Sequence, residues 1–232
     1  MLIYLVCMEL IMLKFGIYSI RVGGWLEVVE ELQSEGKIRF FIGLSTDGPT
    51  DLIIQGINTN KFDYVNLHWC YINQWNLSAI EAAKKLDMGV FIISPSNKGG
   101  LLYQLSEKLF NLCSPLSTMV FNDLFCLSHP QVHTSSIGAA KPSDFDEQLK
   151  TLNLLDKSEE ILQPILKILE NVAIEILGEP WLKTWEQKLP TWEKTPGKIN
   201  ICVILWLLDL ALAYDMMEYG KMRYYLLGNG NS

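Results

Sequence analysis

The chain is poor in the cysteine patterns that hold metals or disulfide frameworks. Its 232 residues include five cysteines, and no two of them form a CxxC pair. Their odd number, irregular spacing and apolar neighbours indicate reduced, mostly buried thiols in a reducing compartment, for which we take the cytoplasm. The five positions are Cys7, Cys70, Cys113, Cys126 and Cys202.

Basic residues are also scarce. There are 19 Lys and Arg against 26 Asp and Glu, which gives a formal net charge of -7. The sequence contains no basic run with interleaved aromatic residues, and a negative surface does not favour a phosphate backbone. The charge balance therefore predicts a protein that does not bind nucleic acid.

No apolar run has the form of a membrane span or a signal peptide. Met1–Leu13 lacks a basic leading region and a small-residue cleavage site, and it carries Glu9. Ile199–Tyr214 is shorter than the roughly 20 residues that cross a bilayer, and it contains Asp209. We expect both runs to be buried in protein and the chain to have no membrane partner.

Apolar runs and helical patterns alternate between residues 25 and 150. Such alternation at this spacing indicates right-handed βαβ units and a parallel sheet, hence an α/β fold. Near-continuous apolar strands are typical of a sheet covered on both faces. The predicted strands are Ile38–Ser45, Phe62–Trp69, Val90–Ser94 and Val132–Ala139.

Several signals mark the helices between these strands. Asp47 is a candidate cap, with Pro49 in the first turn that follows. Ser78 and Glu81 have the spacing of a capping box, and Gly89 ends the helix that they start. The helix before the first strand places four apolar residues on one stripe: Trp25, Val28, Val29 and Leu32.

The pattern changes after about residue 150, where no strand is evident. An amphipathic helix ends at Gly178, a tryptophan-rich segment including Trp181 follows, and an apolar helix spans Val203–Tyr219. We therefore predict two regions, residues 1–150 and a helical region over residues 151–232. The amphipathic stripe consists of Ile161, Ile165, Ile168, Val172 and Ile176.

Small polar residues follow the strands where a parallel α/β sheet would hold a ligand. Ligands in such sheets bind at the carboxyl ends of the strands. Ser45, Asn66, Ser94 and the turn Ile137–Ala139 all fall at that rim. A short hydroxyl and free backbone donors at a strand end suit an anion.

Three motifs resemble the aldo/keto reductases. They are "GKIRFFIGLSTDGPTDL", "ISPSNKGG" and "SSIGAAKPSDFDEQL", and their order and spacing carry the resemblance over residues 22–152. The chain looks most like predicted oxidoreductases of that family with an extra C-terminal region. The resemblance implies a partial (β/α)8 TIM barrel, strands 4 or 5 to 8, followed by an α-helical extension.

The resemblance also implies a nicotinamide cofactor and the residues that hold it. Ser45 and Asn66 match the positions that hold the carboxamide, and Ser94 matches the position that cradles the pyrophosphate. Gly138 and Ala139 match the turn that takes the adenosine end. These five residues are the predicted cofactor-binding set, for NAD or NADP.

The chain departs from the family pattern at several of these positions. Thr46 stands where asparagine is usual, Asn66 replaces a glutamine, and Ile93 replaces an aromatic that stacks on nicotinamide. The positions that bind the 2′-phosphate of NADP fall near Gly138 and Asp144, which supply no positive charge. NAD is therefore favoured over NADP.

The family's catalytic residues are not matched. Its tyrosine, lysine and aspartate lie on the first three strands, for which we expect no counterpart, and its histidine position falls at or near Glu9. An ionised carboxylate opposes a developing alkoxide. The resemblance thus implies a reductase of small carbonyl substrates, whereas these departures predict impaired catalysis and give no catalytic residue.

The C-terminal region lacks one further feature. The segment 196–227 resembles the one that follows a CxxCxxC ferredoxin-type motif in related reductases, but Cys202 stands alone. A four-cysteine iron-sulfur cluster cannot be built there.

Two other interpretations stay open. A partial barrel has unpaired strand edges, which together with the tryptophan-rich region would bind a protein partner or another copy of the chain. The chain would then be a non-catalytic interaction module. Alternatively, it is a fragment of a longer reductase.

Overall fold

The computed structural model describes residues 24–37, 42–45, 48–95, 106–138 and 142–227. The chain divides into two compact units. One comprises residues 1–95 and 125–141 and is called the sheet unit below; the other comprises residues 96–124 and 142–232 and is called the helical unit. The segments of the two units alternate along the chain, and the predicted domain boundary near residue 150 stays a prediction.

The sheet unit contains a four-stranded parallel sheet in the order β1-β2-β3-β4. This confirms an α/β fold with a parallel sheet. Three of the described strands are shorter than predicted, whereas β3 has the predicted length and starts one residue earlier. Residues 38–41 of the first predicted strand lie outside the described residues. The strands are β1 Gly43–Ser45, β2 Tyr64–Leu67, β3 Gly89–Ile93 and β4 Thr134–Ser136.

Helices alternate with these strands along the chain. One face of the sheet carries aliphatic side chains. The helix Thr50–Asn58 packs closely against β1, where its Gly56 faces Leu44. The aliphatic side chains of that face, all buried, are Leu44, Val65, Leu67, Val90 and Ile92. The helices are α1 Trp25–Ser34, α2 Thr50–Asn58, α3 Leu77–Lys85, α4 Glu107–Leu112 and α5 Thr118–Ser128.

The predicted capping box is wrong. Helix α3 begins at Leu77, so Asn76 is its N-cap residue, no side chain caps it, and Ser78 lies within its first turn. The Asn76 side chain instead donates to the His68 carbonyl at 2.9 Å and accepts from the Thr50 hydroxyl at 2.9 Å. Contacts with the first residue of α2 and with the residue that follows β2 thus take the place of a local cap.

The apolar stripe predicted for α1 is also partly wrong. Leu26 and Val29 are buried, whereas Val28 is 52% exposed. The helix stops as expected at Gly36, which has a φ of +72° and whose N–H donates to Gln33. The Trp25 side chain and Asp47, the candidate cap of the next helix, lie outside the described residues.

Every element described in the helical unit is a helix or a 3-10 turn, as the helical extension predicted. The predicted final helix is two helices, because Asp215 has a left-handed φ of +57° that ends the first. The helical unit contains α4 and the first residues of α5. Its other helices are α6 Phe145–Leu152, α7 Ser158–Leu177, α8 Glu179–Thr184, α9 Ile201–Tyr214 and α10 Met217–Leu227.

Helix α7 buries a different stripe from the predicted one. Ile168 and Ile176 are exposed, because the helix packs against α9 through the adjacent stripe. The Tyr214 hydroxyl of α9 donates to the Leu169 carbonyl at 3.2 Å and fixes this orientation. The buried stripe is Leu162, Ile165, Leu169 and Ala173.

Asp209 occupies the largely apolar helix α9. It is buried, and the Trp181 indole N–H donates to its carboxylate at 2.8 Å. Burial raises the pKa of Asp209, and this hydrogen bond partly offsets the rise. Trp181, which stays 37% exposed, thus serves as a hydrogen-bond donor as well as a packing residue. Within the described parts of the chain, no helix combines the length and apolarity needed to cross a membrane.

Candidate functional site

The parallel register aligns four residues across the carboxyl-end half of the sheet. Ser45 of β1 pairs with Asn66 of β2, Asn66 with Phe91 of β3, and Phe91 with Thr134 of β4. Because side chains alternate along a strand, all four point to the face opposite the aliphatic layer. The polar face is therefore a continuous strip of a hydroxyl, an amide, a ring and a second hydroxyl.

Two of the predicted cofactor residues are neighbours on this strip. Ser45 is 6% exposed and Asn66 is 4% exposed, so both polar groups are held inside the protein near the strand ends. Buried polar side chains are retained at the cost of desolvation, which is offset only when they are hydrogen-bonded. A hydroxyl beside an amide can donate to and accept from a planar carboxamide.

Ser94 is one residue beyond the end of β3. It is half-buried and has a φ of +50°, a left-handed conformation that is uncommon outside glycine, and the next residue, Pro95, is buried. Such conformations cost of order 1–3 kcal/mol and persist where the surroundings impose them. The backbone thus turns sharply at the predicted pyrophosphate position. The glycine-containing segment 96–105 that follows lies outside the described residues.

The predicted adenosine end is described only in part. Gly138 is exposed, and a Cβ built on it meets no atom within 4 Å. Ala139 and Thr46 lie outside the described residues, as does the Asp144 side chain. The structure therefore brings together Ser45 and Asn66 and places Ser94 just beyond the end of β3. Gly138, at the predicted adenosine end, is exposed.

Sequence reasoning missed an aromatic pair on the same face. The rings of Tyr64 and Phe91 stack with centroids 4.8 Å apart and an interplanar angle of 25°. Tyr64 is two residues before Asn66, and Phe91 is two residues before Ile93, where a stacking ring was sought. The period of two along a strand is the signal that places these rings beside the predicted amide.

Burial on the polar face falls from β1 to β4. Ser45 and Asn66 are buried, Phe91 and Ile93 are half-buried, and Thr134 is exposed, as is Ser136 at the end of β4. Among the described residues, β4 pairs only with β3, so its outer edge has no strand partner there. The polar face is therefore accessible from the β4 side.

The chemistry that this face offers is hydrogen bonding and ring contact. None of the side chains that β1 to β4 place on it carries a charge at neutral pH. Within the described ranges, no group of three His, Cys, Asp or Glu side chains could hold a metal ion. Such a surface suits a neutral planar ligand group more than a charged one.

A scan against models of known protein families gives no match, and a search of the curated proteins gives none either.

Proposed function

We propose that this chain is an aldo/keto reductase-like protein that binds a nicotinamide dinucleotide, NAD rather than NADP, at the carboxyl ends of a partial (β/α)8 barrel. The observation that carries the proposal is the pairing of Ser45 with Asn66 in adjacent parallel strands, both buried on one face. The same face carries no charge, which agrees with the neutral carboxamide and with the neutral nicotinamide ring of the reduced cofactor.

The described residues fit the nicotinamide end of such a cofactor better than the other end. Ser45 and Asn66 would hold the carboxamide, with Phe91 beside them as ring surface. Ser94, at its turn, would lie near the pyrophosphate. Gly138 offers backbone but no cation, which supports NAD over a cofactor with an additional phosphate.

We further propose that the chain has little reductase activity. The family's tyrosine, lysine and aspartate have no counterpart in residues 22–152, the part that the resemblance covers. Without a positioned proton donor, general acid catalysis of typically 10²–10⁴-fold is lost. The protein would then hold a dinucleotide without reducing a small carbonyl substrate at a useful rate.

Calorimetric titration with NAD⁺, NADH and NADP⁺ tests the binding proposal. We expect NAD⁺ or NADH to bind more tightly than NADP⁺. Ser45→Ala and Asn66→Leu each remove a hydrogen bond of about 1 kcal/mol, so each weakens binding about fivefold. Ser135→Ala is the matched control, because it removes a strand hydroxyl from the opposite face of the sheet.

Two results would contradict this proposal in different ways. If Ser45→Ala and Asn66→Leu leave the affinity for NAD unchanged while circular dichroism shows intact folds, the cofactor does not bind at this face. If NADP⁺ binds tightly and a carbonyl compound is reduced with NADPH, both the cofactor preference and the impaired catalysis are wrong.

A second candidate function is protein–protein interaction through β4. The observation that favours it is the exposure of Thr134 and Ser136 on an edge with no described partner strand. Exposed strand edges are templates for pairing with another chain, and charged side chains block such pairing. Light scattering after size exclusion should detect association that Thr134→Lys abolishes, whereas an unchanged monomer at high concentration would exclude it.

A further inference from the structure

Helix α5 contains a carboxylate that its surroundings do not accommodate. Asp123 is 1% exposed, and neither of its carboxylate oxygens has a hydrogen-bond partner among the described residues. Buried polar groups without a partner are rare in native proteins, and an unpaired buried charge is costlier still. This residue therefore needs an explanation that packing alone does not give.

The neighbours of Asp123 on its own helix are apolar. Met119, Val120 and Cys126 lie three or four residues away, on the same side of the helix, and all are buried. The titratable group among them is the Cys126 thiol, which donates to the Trp69 carbonyl at 3.3 Å. No carboxylate, ammonium or guanidinium group lies within one turn of Asp123 on this helix.

We propose that Asp123 makes the packing of helix α5 sensitive to pH: the folded chain holds this side chain as a neutral acid, and its ionisation favours opening of the structure around the helix. A neutral carboxyl can stay in an apolar site at a moderate cost, whereas a carboxylate there must find water or a cation. The property does not depend on dinucleotide binding, which is assigned to the sheet unit.

The direction of the effect follows from proton linkage. Burial raises the pKa of Asp123 from 3.8 to about 7, and it is the cause of the shift; no charged group contributes to it. The folded chain then binds more protons than the unfolded chain between these two values, so stability is highest at low pH and falls as pH rises. The expected change in the unfolding equilibrium constant is about tenfold per pH unit across this interval, and none above it.

Urea unfolding between pH 5 and pH 8.5 tests the proposal with two variants. Asp123→Asn mimics the neutral acid, so its unfolding constant should lack this pH dependence and be at least tenfold smaller than that of the wild type at pH 8. Asp146→Asn is the matched control, because Asp146 is exposed on helix α6. The unfolding constant of this variant should show the same pH dependence as that of the wild type. If Asp123→Asn retains the wild-type pH dependence, the proposal is wrong.

A second measurement keeps the test valid if Asp123→Asn fails to fold. In wild-type protein labelled with ¹³C at the aspartate carboxyls, one NMR resonance should titrate with a midpoint near 7. If every aspartate carboxyl titrates below pH 5, Asp123 is ionised in the folded chain and the proposal is overturned.

Discussion

At the scale of single residues, the Tyr64 ring limits which side chains fit at the neighbouring position on β1. Tyr64 pairs with Gly43 on one side and with Gly89 on the other, and its ring lies over Gly43, a position without a side chain. A Cβ built on Gly43 would come 2.1 Å from the Tyr64 ring, and the ring itself is buried. Gly43 thus makes room for the Tyr64 ring, which stacks on Phe91.

Gly43→Ala should therefore destabilise the protein. A methyl group at this position forces Tyr64 out of its rotamer, and overpacking of this kind costs about 1–3 kcal/mol. Urea unfolding measures the loss, with Gly138→Ala as control, because a Cβ at Gly138 meets nothing within 4 Å. Equal stability of the two variants would mean that the ring moves freely.

Residues of the candidate site could be predicted when the strand ends were placed correctly. Ser45 ends the first predicted strand and Asn66 lies within the second, and the observed parallel register pairs them. The stacking of Tyr64 on Phe91 and the burial of Asp123 could not be predicted, because both depend on contacts between residues far apart in sequence. The same limit explains the wrong capping box, where Asn76 bonds to Thr50 and His68 rather than to its own helix.

At the scale of elements, His133 joins β4 to β3 by two hydrogen bonds. Its backbone N–H donates to the Val90 carbonyl at 2.9 Å, and its Nδ1 accepts from the Val90 N–H at 3.1 Å. His133 thus provides hydrogen-bond partners for both the N–H and the carbonyl of Val90, which is fully buried. The register that places Thr134 beside Phe91 depends on this pair of bonds.

His133→Ala should weaken β4 selectively. It leaves the buried Val90 N–H without an acceptor, which costs about 1–3 kcal/mol. Hydrogen exchange should show faster exchange of the β3 and β4 amides, while α7 in the helical unit is unchanged. Thr134→Ala, an exposed neighbour that makes neither bond, is the control. Uniform acceleration throughout the chain would contradict a local role.

The positions of strands and helices along the chain were more predictable than the face that each helix buries. All four strands, and helices α2 and α3 between the first three of them, follow from apolar runs separated by turn residues, whereas α4 was not predicted. The stripe that each helix buries did not follow, since α1 and α7 each carry two adjacent apolar stripes and the packing partner selects one. The break at Asp215 was missed because the apolar pattern continues across it.

At the scale of the whole molecule, the four described cysteines are distributed over both units. Cys70 and Cys126 are buried in the sheet unit, Cys113 is buried in the helical unit, and Cys202 is half-buried. Burial raises the pKa of the Cys113 thiol to about 12, so very little thiolate forms in the folded state. The reactivity of each thiol therefore reports the opening of its own surroundings.

Thiol labelling should consequently separate the two units. In a Cys7→Ser, Cys202→Ser background at pH 8, we expect Cys70 and Cys126 to be labelled with one common rate constant. The reason is that the Cys126 thiol donates to the carbonyl of Trp69, the residue next to Cys70, so neither is exposed while that contact persists. Cys113 should follow a rate constant of its own, because its labelling requires opening of a different core. Mass spectrometry of tryptic peptides measures all three, and labelling in concentrated urea gives the reference for full exposure. Rapid labelling of Cys126 while Cys70 stays protected would show that helix α5 leaves the sheet unit on its own.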